Sequence, residues 1–405
     1  MKVLHVISGM NTEAGGVCQA VRGIIAGLDS LGFSNEVVSL DDPESNFLGT
    51  DGFRIHACGP GQGAWCWNPA LTSWLKNNIS RFDAVIIHGL WQYHSYAAWR
   101  AVKVANGNAK DYPIQLFVMT HGMLDPWFQK ISVRPFKAVR NWLFWKLVEK
   151  RVVNDADGLI FTCEQERLLA HLTFRPYKPQ SEHVVGLGVE TPPTYNDLMR
   201  KAFQCLSPDL AGRKYLLFLS RIHPKKGVDL LIRAYSEAQR MTAPDSRPCL
   251  VIAGPGLDTP YGQDMQKLAE QLCPANSIHF PGMLTGDAKW GAFYGCDAFI
   301  LPSHQENFGI AVVEALACGK PVLISNQVNI WREIEAMGAG IVKTDSLAGT
   351  LDGLNNWALK NDAERKSMAT SARHCYQSHF QTDQFAVLLY DVFRRACEKK
   401  LSPHE

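Results

Sequence analysis

Short runs rich in Val, Ile and Leu alternate with helical patterns along most of the chain, and this alternation constrains the fold more than any other feature. In the first half, such runs occupy residues 2–8, 82–89 and 113–122, and each is followed by a helical pattern. Continuous apolar runs are typical of parallel strands that helices cover on both faces. The order of elements therefore predicts a doubly wound α/β fold.

A second series of apolar runs follows in the other half of the chain, at 214–220, 248–256, 277–282, 296–303 and 320–326. A chain of 405 residues is longer than one hydrophobic core usually serves. The two series therefore predict two Rossmann-like domains that face each other across a cleft. The polar, proline-containing stretch 190–214 between them is interpreted as the linker.

Charge and cysteine usage exclude several classes of protein. Lys and Arg number 41 against 39 Asp and Glu, so a net charge of +2 gives no reason to expect nucleic acid as a partner. No apolar run approaches the roughly 18 residues of a membrane span, and the first apolar run is too short for a signal peptide. The 11 cysteines are scattered without a CxxC pair, which favours free thiols in the cytoplasm over disulfides or structural zinc.

The segment "LSRIHPKKGVDLLIRAY" (219–235) joins an apolar run to a helical pattern through a short basic loop. Arg221 provides a planar fork of donors and Lys226 a point charge, and the two together suit a diphosphate. In isolation, the same loop is more typical of a solvated basic turn.

The segment "PSHQENFGIAVVEALACGKPVLIS" (302–325) has two glutamates, Glu306 and Glu314, eight residues apart. The helical pattern starts near Ile310, so the amides of Phe308, Gly309 and Ile310 are expected to be free to bind an anion. Eight helical residues span about 12 Å, similar to the distance from a sugar across a pyrophosphate to a ribose. We interpret the two carboxylates as bracketing an anion site, not as an acid/base pair.

The pattern S-x-x-E-N-F-G-x-x-x-x-E-A-x-A-x-G-x-P-V in this segment resembles the E-x7-E signature of the retaining GT-B glycosyltransferases of family 4. "SRIHPKKGVDLLI" resembles the G-R-x-x-P-x-K-G loop of that family, and "VIAGPG" and "FPGM" are similar to two further motifs. These motifs occur in the family's order and cover nearly the whole second half of the chain.

The resemblance implies a GT-B fold and a role for each matching residue. Arg221 and Lys226 would grip the donor diphosphate, Glu314 the ribose, and the backbone around Gly282 and Met283 the base. The donor sugar and its phosphate would be bound by Glu306, Asn307, Phe308, Gly309 and Ile310. The resemblance divides the chain into an acceptor-side domain, 1–190 with the helix 385–405 packed back on it, and a donor-binding domain, 191–384.

In the first half, His121 follows the apolar run 113–122 and matches the histidine that contacts the donor sugar near the reaction centre in this family. Gly15 and Gly16 precede a helical pattern and correspond to the family's glycine loop near the donor phosphate and the acceptor. We expect acceptor contacts from His88 and Trp91 in "HGLWQYHSYAAW", although core packing suits Trp91 equally. Asp125 is an acceptor candidate, or else a turn or helix-capping residue.

The segment 127–151 contains seven Lys and Arg residues and one Glu. On a regular helix, Phe136, Val139, Leu143 and Leu147 share one stripe, and Trp145 lies near the opposite side. The pattern favours either a packed helix with a solvated basic face, or a peripheral contact with anionic lipid in which Trp145 and Lys146 take part.

Taken together, the sequence predicts a retaining transferase that moves a hexose from a UDP- or GDP-sugar to a hydroxyl of a glycan or a lipid-linked saccharide. It would act in polysaccharide or glycoconjugate biosynthesis in the cytoplasm, without a cofactor or metal, and peripherally at the inner membrane face if segment 127–151 contacts lipid. The alternatives are a sugar-nucleotide epimerase or phosphorylase of related fold, or a non-catalytic nucleotide-sugar-binding relative. The chain departs from the family pattern at "GLGVE" (186–190), where the hinge turn is expected, and at Lys225, which replaces a residue that is often acidic.

Overall fold

The computed structural model describes residues 1–11, 16–108, 113–129, 135–210, 212–241 and 248–401. The chain divides into two compact units: unit 1 comprises Met1–Gly188 and Thr382–Glu405, and unit 2 comprises Val189–Gln381. Each unit is built around one parallel β-sheet.

The sheet of unit 1 has seven strands within the described residues, in the order β3-β2-β1-β4-β5-β6-β7. All its neighbouring strands are parallel, as in the pairing of Val3 with Asn35 on one side and with Ala84 on the other. The strands are β1 (Lys2–Val6), β2 (Ser34–Ser39), β3 (Arg54–Ala57), β4 (Ala84–His88), β5 (Gln115–Met119), β6 (Gly158–Phe161) and β7 (Glu182–Val184).

The sheet of unit 2 has six strands in the described chain, all parallel, in the order β10-β9-β8-β11-β12-β13. The strands are β8 (Tyr215–Leu219), β9 (Cys249–Ala253), β10 (Ile278–Gly282), β11 (Ala298–Leu301), β12 (Val322–Ser325) and β13 (Gly340–Lys343). In both sheets the strand order reverses beside the first strand of the unit, which is the topology that binds ligands beyond the carboxyl ends of the strands. The predicted doubly wound α/β fold is confirmed.

Helices connect the strands and cover both sheets. They are α1 (Gly16–Ser30), α2 (Pro69–Asn78), α3 (Tyr93–Asn108), α4 (Pro135–Phe144), α5 (Lys150–Asp155), α6 (Glu164–Thr173), α7 (Asp197–Leu206), α8 (Val228–Met241), α9 (Pro260–Leu272), α10 (Gly286–Gly295), α11 (Ile310–Ala317), α12 (Trp331–Ala336), α13 (Leu347–Ala358), α14 (Asp362–His379) and α15 (Thr382–Leu401). Several begin where the sequence provides a cap, as at Asn361, whose side chain and that of Glu364 form a capping box.

The last helix, α15, belongs to unit 1 and packs on α1 and β5. The side-chain amide of Gln115 donates to the carbonyl of Phe393 at 3.2 Å, and the rings of Phe117 and Phe393 are 5.2 Å apart. The end of the described chain therefore covers one face of the first sheet.

The interpretation of residues 190–214 as a linker is wrong for the middle of this stretch. Helix α7 occupies its middle, with the amide of Met199 donating to the side chain of Asn196 and with Met199 and Phe203 buried. The helix packs on α10 so closely that a Cβ on Gly291 would lie 2.0 Å from the carbonyl oxygen of Met199. Polar residues and prolines masked the amphipathic period of a short helix.

The segment after β5 departs from the expected packed helix. Helix α4 continues into a π-helical turn, Trp145–Glu149, and then α5. Trp145 is fully buried and stacks on Phe174 at 4.8 Å, whereas Phe136 is 90% exposed and Leu147 70% exposed. The face that was expected to pack is thus outside, and Trp145, which lies near the opposite side of the helix, is packed inside and cannot contact a membrane.

We expect Gly291→Ala to destabilise unit 2, because the methyl group has no space against the α7 backbone. Overpacking of this kind costs about 1–3 kcal/mol. Urea denaturation followed by tryptophan fluorescence measures the effect. Gly52→Ala is the matched control, because a Cβ there meets no atom within 4 Å and the backbone is not left-handed. A Gly291→Ala variant as stable as the control would contradict the tight α7–α10 contact.

Candidate functional site

The loop after β8 holds the two predicted diphosphate-binding residues in different environments. Arg221 is exposed, whereas Lys226 is buried at the end of a 3-10 turn, Pro224–Lys226. The amide of Lys225 donates to the ring of His223 at 3.1 Å, which closes the turn. Gly227 follows with φ +67°, and a Cβ there would lie 2.3 Å from the carbonyl oxygen of Pro302. Only glycine therefore allows this loop to lie against the end of β11.

This close approach brings Lys226 and Glu306 into an ion pair. The backbone of Glu306 is fixed from the other side, because its amide donates to the carbonyl of Gln327 at 2.9 Å and its carbonyl accepts from the amide of Asn329 at 3.0 Å. Residues that follow β8, β11 and β12 thus meet at one edge of the sheet, and Glu306 lies between them.

Helix α11 begins at Ile310, after Gly309 with φ +81°. The hydrogen bonds of the described residues include none donated by the amides of Phe308, Gly309 or Ile310. The ring of Phe308 is buried edge-on against Phe380, with ring centres 5.7 Å apart. Phe308 can therefore offer a ligand its amide but not its ring.

Glu314 lies one turn into α11 and is paired with Lys289 of α10, with Nζ and Oε1 2.5 Å apart. The ammonium group also lies 4.5 Å from the ring centre of Trp290. Burial raises the pKa of Glu314, and Lys289 opposes this shift. The sequence interpretation missed Lys289, because it matches no motif and its proximity to Glu314 comes from the packing of two helices.

The remaining predicted donor residues lie at the same edge of the sheet or beside Glu306. Gly282 ends β10 with φ +79° in open space, and its carbonyl accepts from the amide of Gly254 at 2.8 Å. Met283 follows and is exposed. The side-chain oxygen of Asn307 accepts from Asn329 at the long distance of 3.5 Å.

In unit 1, His121 follows β5 in the left-handed conformation, with φ +49°. A buried carboxylate, Glu166, holds this loop: one oxygen accepts from Thr120 Oγ1 at 2.6 Å and from the amide of Gly122 at 2.5 Å. The other oxygen accepts from the amide and the hydroxyl of Thr162 at 2.8 and 2.7 Å. Four hydrogen bonds to Glu166 thus stabilise a conformation that is unfavourable for histidine.

Glu149 plays the same part for Trp91, which has φ +74°. Its Oε1 accepts from the amide of Trp91 at 2.8 Å and from Ser95 Oγ at 2.9 Å, whereas Oε2 has no partner among the described residues. Burial raises the pKa of Glu149 to about 7. Neither glutamate was identified from the sequence, because both occur in helical patterns without a motif.

The expected contact of His88 with an acceptor does not fit the structure, because His88 is only 1% exposed. Its ring lies between those of His5 and His121. Trp91 packs on Phe174 with ring centres 5.2 Å apart and donates from its indole to the carbonyl of Met123, in line with the packing alternative.

The other candidate residues of unit 1 have less distinctive surroundings. Asp125 is buried and accepts from the amide of Trp127 at 2.7 Å, which is the turn-capping role left open for it. Gly16 is the first residue of α1 and is exposed, and Gly15 lies outside the described residues.

The described part of the chain contains no group of three or more His, Cys, Asp or Glu side chains arranged to hold a metal ion. None of its helices combines the length and the apolar character needed to cross a bilayer.

Two families match this chain, one within each of the two compact units. The family described as "Glycosyl transferases group 1" matches residues 208–374, and "Glycosyl transferase 4-like domain" matches residues 15–188. Together the two matches take in most of the chain. The chain therefore belongs to the group 1, GT4-type glycosyltransferases, which have the GT-B fold.

The sequence identity to individual relatives is low and covers only part of the chain. A D-inositol 3-phosphate glycosyltransferase of Jonesia denitrificans is 28% identical over 59% of this chain and 58% of its own length. A GDP-mannose-dependent alpha-(1-6)-phosphatidylinositol monomannoside mannosyltransferase of Mycolicibacterium smegmatis is 31% identical over 43% of this chain and 45% of its own. The chain thus spans about half the length of these relatives.

Among solved structures, Anabaena HepE in complex with UDP and glucose superposes with a TM-score of 0.72. The superposition covers 97% of this chain and 99% of HepE, at 16% identity. This similarity supports the fold alone.

We expect Glu149→Gln to change the pH dependence of stability. The pKa of Glu149 is raised from 4.5 to about 7 on folding, so its contribution is fully present below about pH 4.5 and is lost as the pH rises through 7. Glutamine carries no charge to bury and can still accept from Trp91. The melting temperature of the variant relative to wild type should therefore be higher at pH 8 than at pH 5, as measured by differential scanning fluorimetry. A difference in melting temperature between variant and wild type that is independent of pH would contradict the raised pKa of Glu149.

Proposed function

We propose that the protein is a retaining hexosyltransferase that uses a UDP- or GDP-sugar as donor and a hydroxyl of a glycan or lipid-linked saccharide as acceptor. The observation that carries this proposal is the meeting of Lys226, Glu306 and the start of α11 at the carboxyl edge of the second sheet. The chemistry of this edge suits a diphosphate flanked by two hydroxyl-bearing rings.

The charges at the edge support a diphosphate ligand. Arg221 is exposed on the same loop as Lys226, and the amides at the start of α11 add the positive end of a helix dipole. Stabilisation of the departing diphosphate by these groups would be the main catalytic contribution. In this proposal the guanidinium and ammonium groups take the part that a divalent cation has elsewhere, so that no metal is needed.

The ion pair of Lys226 and Glu306 suggests how the donor enters. Without ligand, the carboxylate compensates the charge of a lysine that is almost fully buried. When a phosphate of the donor binds the ammonium group of Lys226 in place of Glu306, this carboxylate becomes available to accept hydrogen bonds from sugar hydroxyls. Glu314 and Lys289 would exchange partners in the same way when ribose binds. The two carboxylates thus act in binding, and attack on the same face as the departing phosphate accounts for retention.

The relatives support this choice of substrates through their names. The HepE structure contains UDP and glucose, and the mycobacterial relative is named as GDP-mannose-dependent. The resemblance of the motifs assigns His121 to the donor sugar and Gly16 to the donor phosphate, and both assignments are part of the proposal. A role in polysaccharide or glycoconjugate biosynthesis follows from the proposed acceptor.

We also propose that the protein acts in the cytoplasm and binds anionic membrane through α4 and the π turn. Phe136, Val139, Trp142, Leu143 and Leu147 are all exposed there, and Lys146 lies 5.7 Å from the ring centre of Trp142. Glu149, the one acidic residue of segment 127–151, is fully buried and does not oppose an anionic surface. An apolar strip flanked by lysine suits the headgroup region of anionic lipids.

We expect Arg221→Ala and Lys226→Ala each to weaken nucleotide binding by roughly 10- to 100-fold, because each removes a charge-assisted hydrogen bond. Calorimetric titration with UDP, GDP, UDP-glucose and GDP-mannose, in buffer with EDTA, measures the loss. Lys225→Ala is the matched control, since it removes an adjacent lysine of the same loop and should bind like wild type. Unchanged affinity in both variants, or binding by wild type only after Mg²⁺ is added, would contradict the proposal.

We expect Leu147→Asp to reduce binding to phosphatidylglycerol vesicles in a sedimentation assay at low salt, because it places a charge in the apolar strip. Leu172→Asp is the matched control: Leu172 of α6 is 69% exposed, against 70% for Leu147. Wild type should bind phosphatidylcholine vesicles less than anionic ones. Equal sedimentation of the two variants would exclude this surface as the contact.

A further inference from the structure

The structure of unit 1 contains a continuous row of hydrogen-bonded side chains that starts at His121, and the proposed function uses none of the other members. His121 Nε2 is 3.1 Å from His88 Nδ1, and His88 Nε2 is 3.0 Å from His5 Nδ1. His5 Nε2 is 3.1 Å from Asn35 Oδ1, and Asn35 Nδ2 is 2.6 Å from Asp29 Oδ1. The row thus runs from α1 through β2, β1 and β4 to the residue after β5.

The ring orientations fit hydrogen bonds between nitrogens. The lone pair and the N–H of a neutral imidazole both lie in the ring plane, so linked rings should be close to coplanar. The planes of His5 and His88 differ by 19°, and those of His88 and His121 by 32°. Ring centres 5.2 and 5.4 Å apart correspond to edge-to-edge contact, not to face-to-face stacking.

The chemistry at the far end gives the row one direction. A carboxylate can only accept, so Asn35 must donate its Nδ2–H to Asp29 and turn its oxygen to His5. His5 then donates from Nε2 and accepts at Nδ1. His88 in turn donates from Nε2 and accepts at Nδ1, and His121 must donate from Nε2.

The charge state of the rings agrees with this order. An imidazolium donates from both nitrogens and would interrupt a row in which each ring donates once and accepts once. Burial lowers the pKa of His5 and of His121 to about 4, and it lowers that of His88 further below its usual value, with the neighbouring histidines adding to the shift. The three rings are therefore neutral at neutral pH.

We propose that Asn35, His5 and His88 are positioning residues that hold His121 as the neutral Nε2–H tautomer, so that Nδ1 presents a lone pair to the ligand. Nδ1 of His121 has no hydrogen-bond partner among the described residues. An acceptor at this point selects a ligand group that donates, such as a hydroxyl, over a carbonyl or a phosphate oxygen. That this hydroxyl belongs to a sugar rests on the proposed function, whereas the tautomer does not.

Long-range ¹H–¹⁵N correlation spectra of ligand-free protein labelled with ¹⁵N-histidine test the tautomer at pH 7.5. The His121→Asn variant identifies the signals of His121 by their loss. We expect an unprotonated Nδ1 and a protonated Nε2, each at the position of a single tautomer. A protonated Nδ1 would overturn the proposal, and wild type alone suffices for this test.

Replacements of His88 test whether the row sets the tautomer. His88→Leu removes the acceptor for His121 Nε2, and the nitrogen signals of His121 should move to averaged positions. His88→Gln keeps a donor and an acceptor the same distance apart as in imidazole, and should restore the wild-type signals. His94→Gln is the control, because His94 is equally buried but its ring bonds to backbone, at the carbonyl of His88, and is not a member of the row. Unchanged signals in His88→Leu, or no restoration by His88→Gln, would overturn the proposal.

Nucleotide-sugar titrations separate this inference from the proposed function. If wild type shows the Nε2–H tautomer but binds neither UDP-glucose nor GDP-mannose, the positioning role stands and the proposed function loses its support. If wild type binds a nucleotide-sugar while His121 has a protonated Nδ1, the proposed function stands and the positioning role is overturned.

Discussion

Carboxylates held inside the protein fix the loops that carry the candidate ligand-binding residues. In unit 1, Glu166 accepts four hydrogen bonds around His121, and Glu149 accepts two at Trp91 and Ser95. Both His121 and Trp91 have positive φ angles, a conformation that costs a bulky residue of order 1–3 kcal/mol. Charge-assisted hydrogen bonds to the backbone are strong enough to offset that cost. The direction of these side chains thus depends on buried acids that are distant from them in the sequence.

Unit 2 uses its carboxylates differently, because each is paired with a lysine. Glu306 pairs with Lys226 and Glu314 with Lys289, so that the buried Lys226 and the half-buried Lys289 each have a counter-charge. A site with this arrangement is electrically balanced before an anion arrives. On the proposed function, a diphosphate would replace Glu306 as the partner of Lys226, and the released carboxylate would accept hydrogen bonds from sugar hydroxyls. The same residues would then stabilise the unliganded protein and recognise the proposed donor.

In unit 1, hydrogen bonds also fix a group that carries no charge, the ring of His121. Three imidazole rings and one amide, all without charge at neutral pH, form a row of hydrogen bonds that starts at the carboxylate of Asp29 and crosses three neighbouring strands. Because the carboxylate can only accept, it sets the direction in which each member of the row donates. The parallel register pairs His5 with Ile86 on β4. His88 lies two residues after Ile86, so it is on the same face of the sheet and close to His5. A preorganised tautomer would let His121 recognise a hydroxyl without a prior proton shift.

The local order of residues determined the α/β class, the positions of eight strands and the start of α11. Apolar runs and glycine turns are patterns of a few consecutive residues, so they can be identified without knowledge of distant contacts. The family motifs located Arg221, Lys226, Glu306 and Glu314 for the same reason. Only the tertiary structure decided the partners of these residues: Lys289 is 25 positions from Glu314 and Glu166 is 45 from His121, and no spacing rule links them. It also decided that α7 is packed, that Trp145 faces the interior while Leu147 is exposed, and that His88 lies beneath His121. Burial, ion pairing and the direction of hydrogen bonds depend on which distant segments meet, and that is a property of the folded chain.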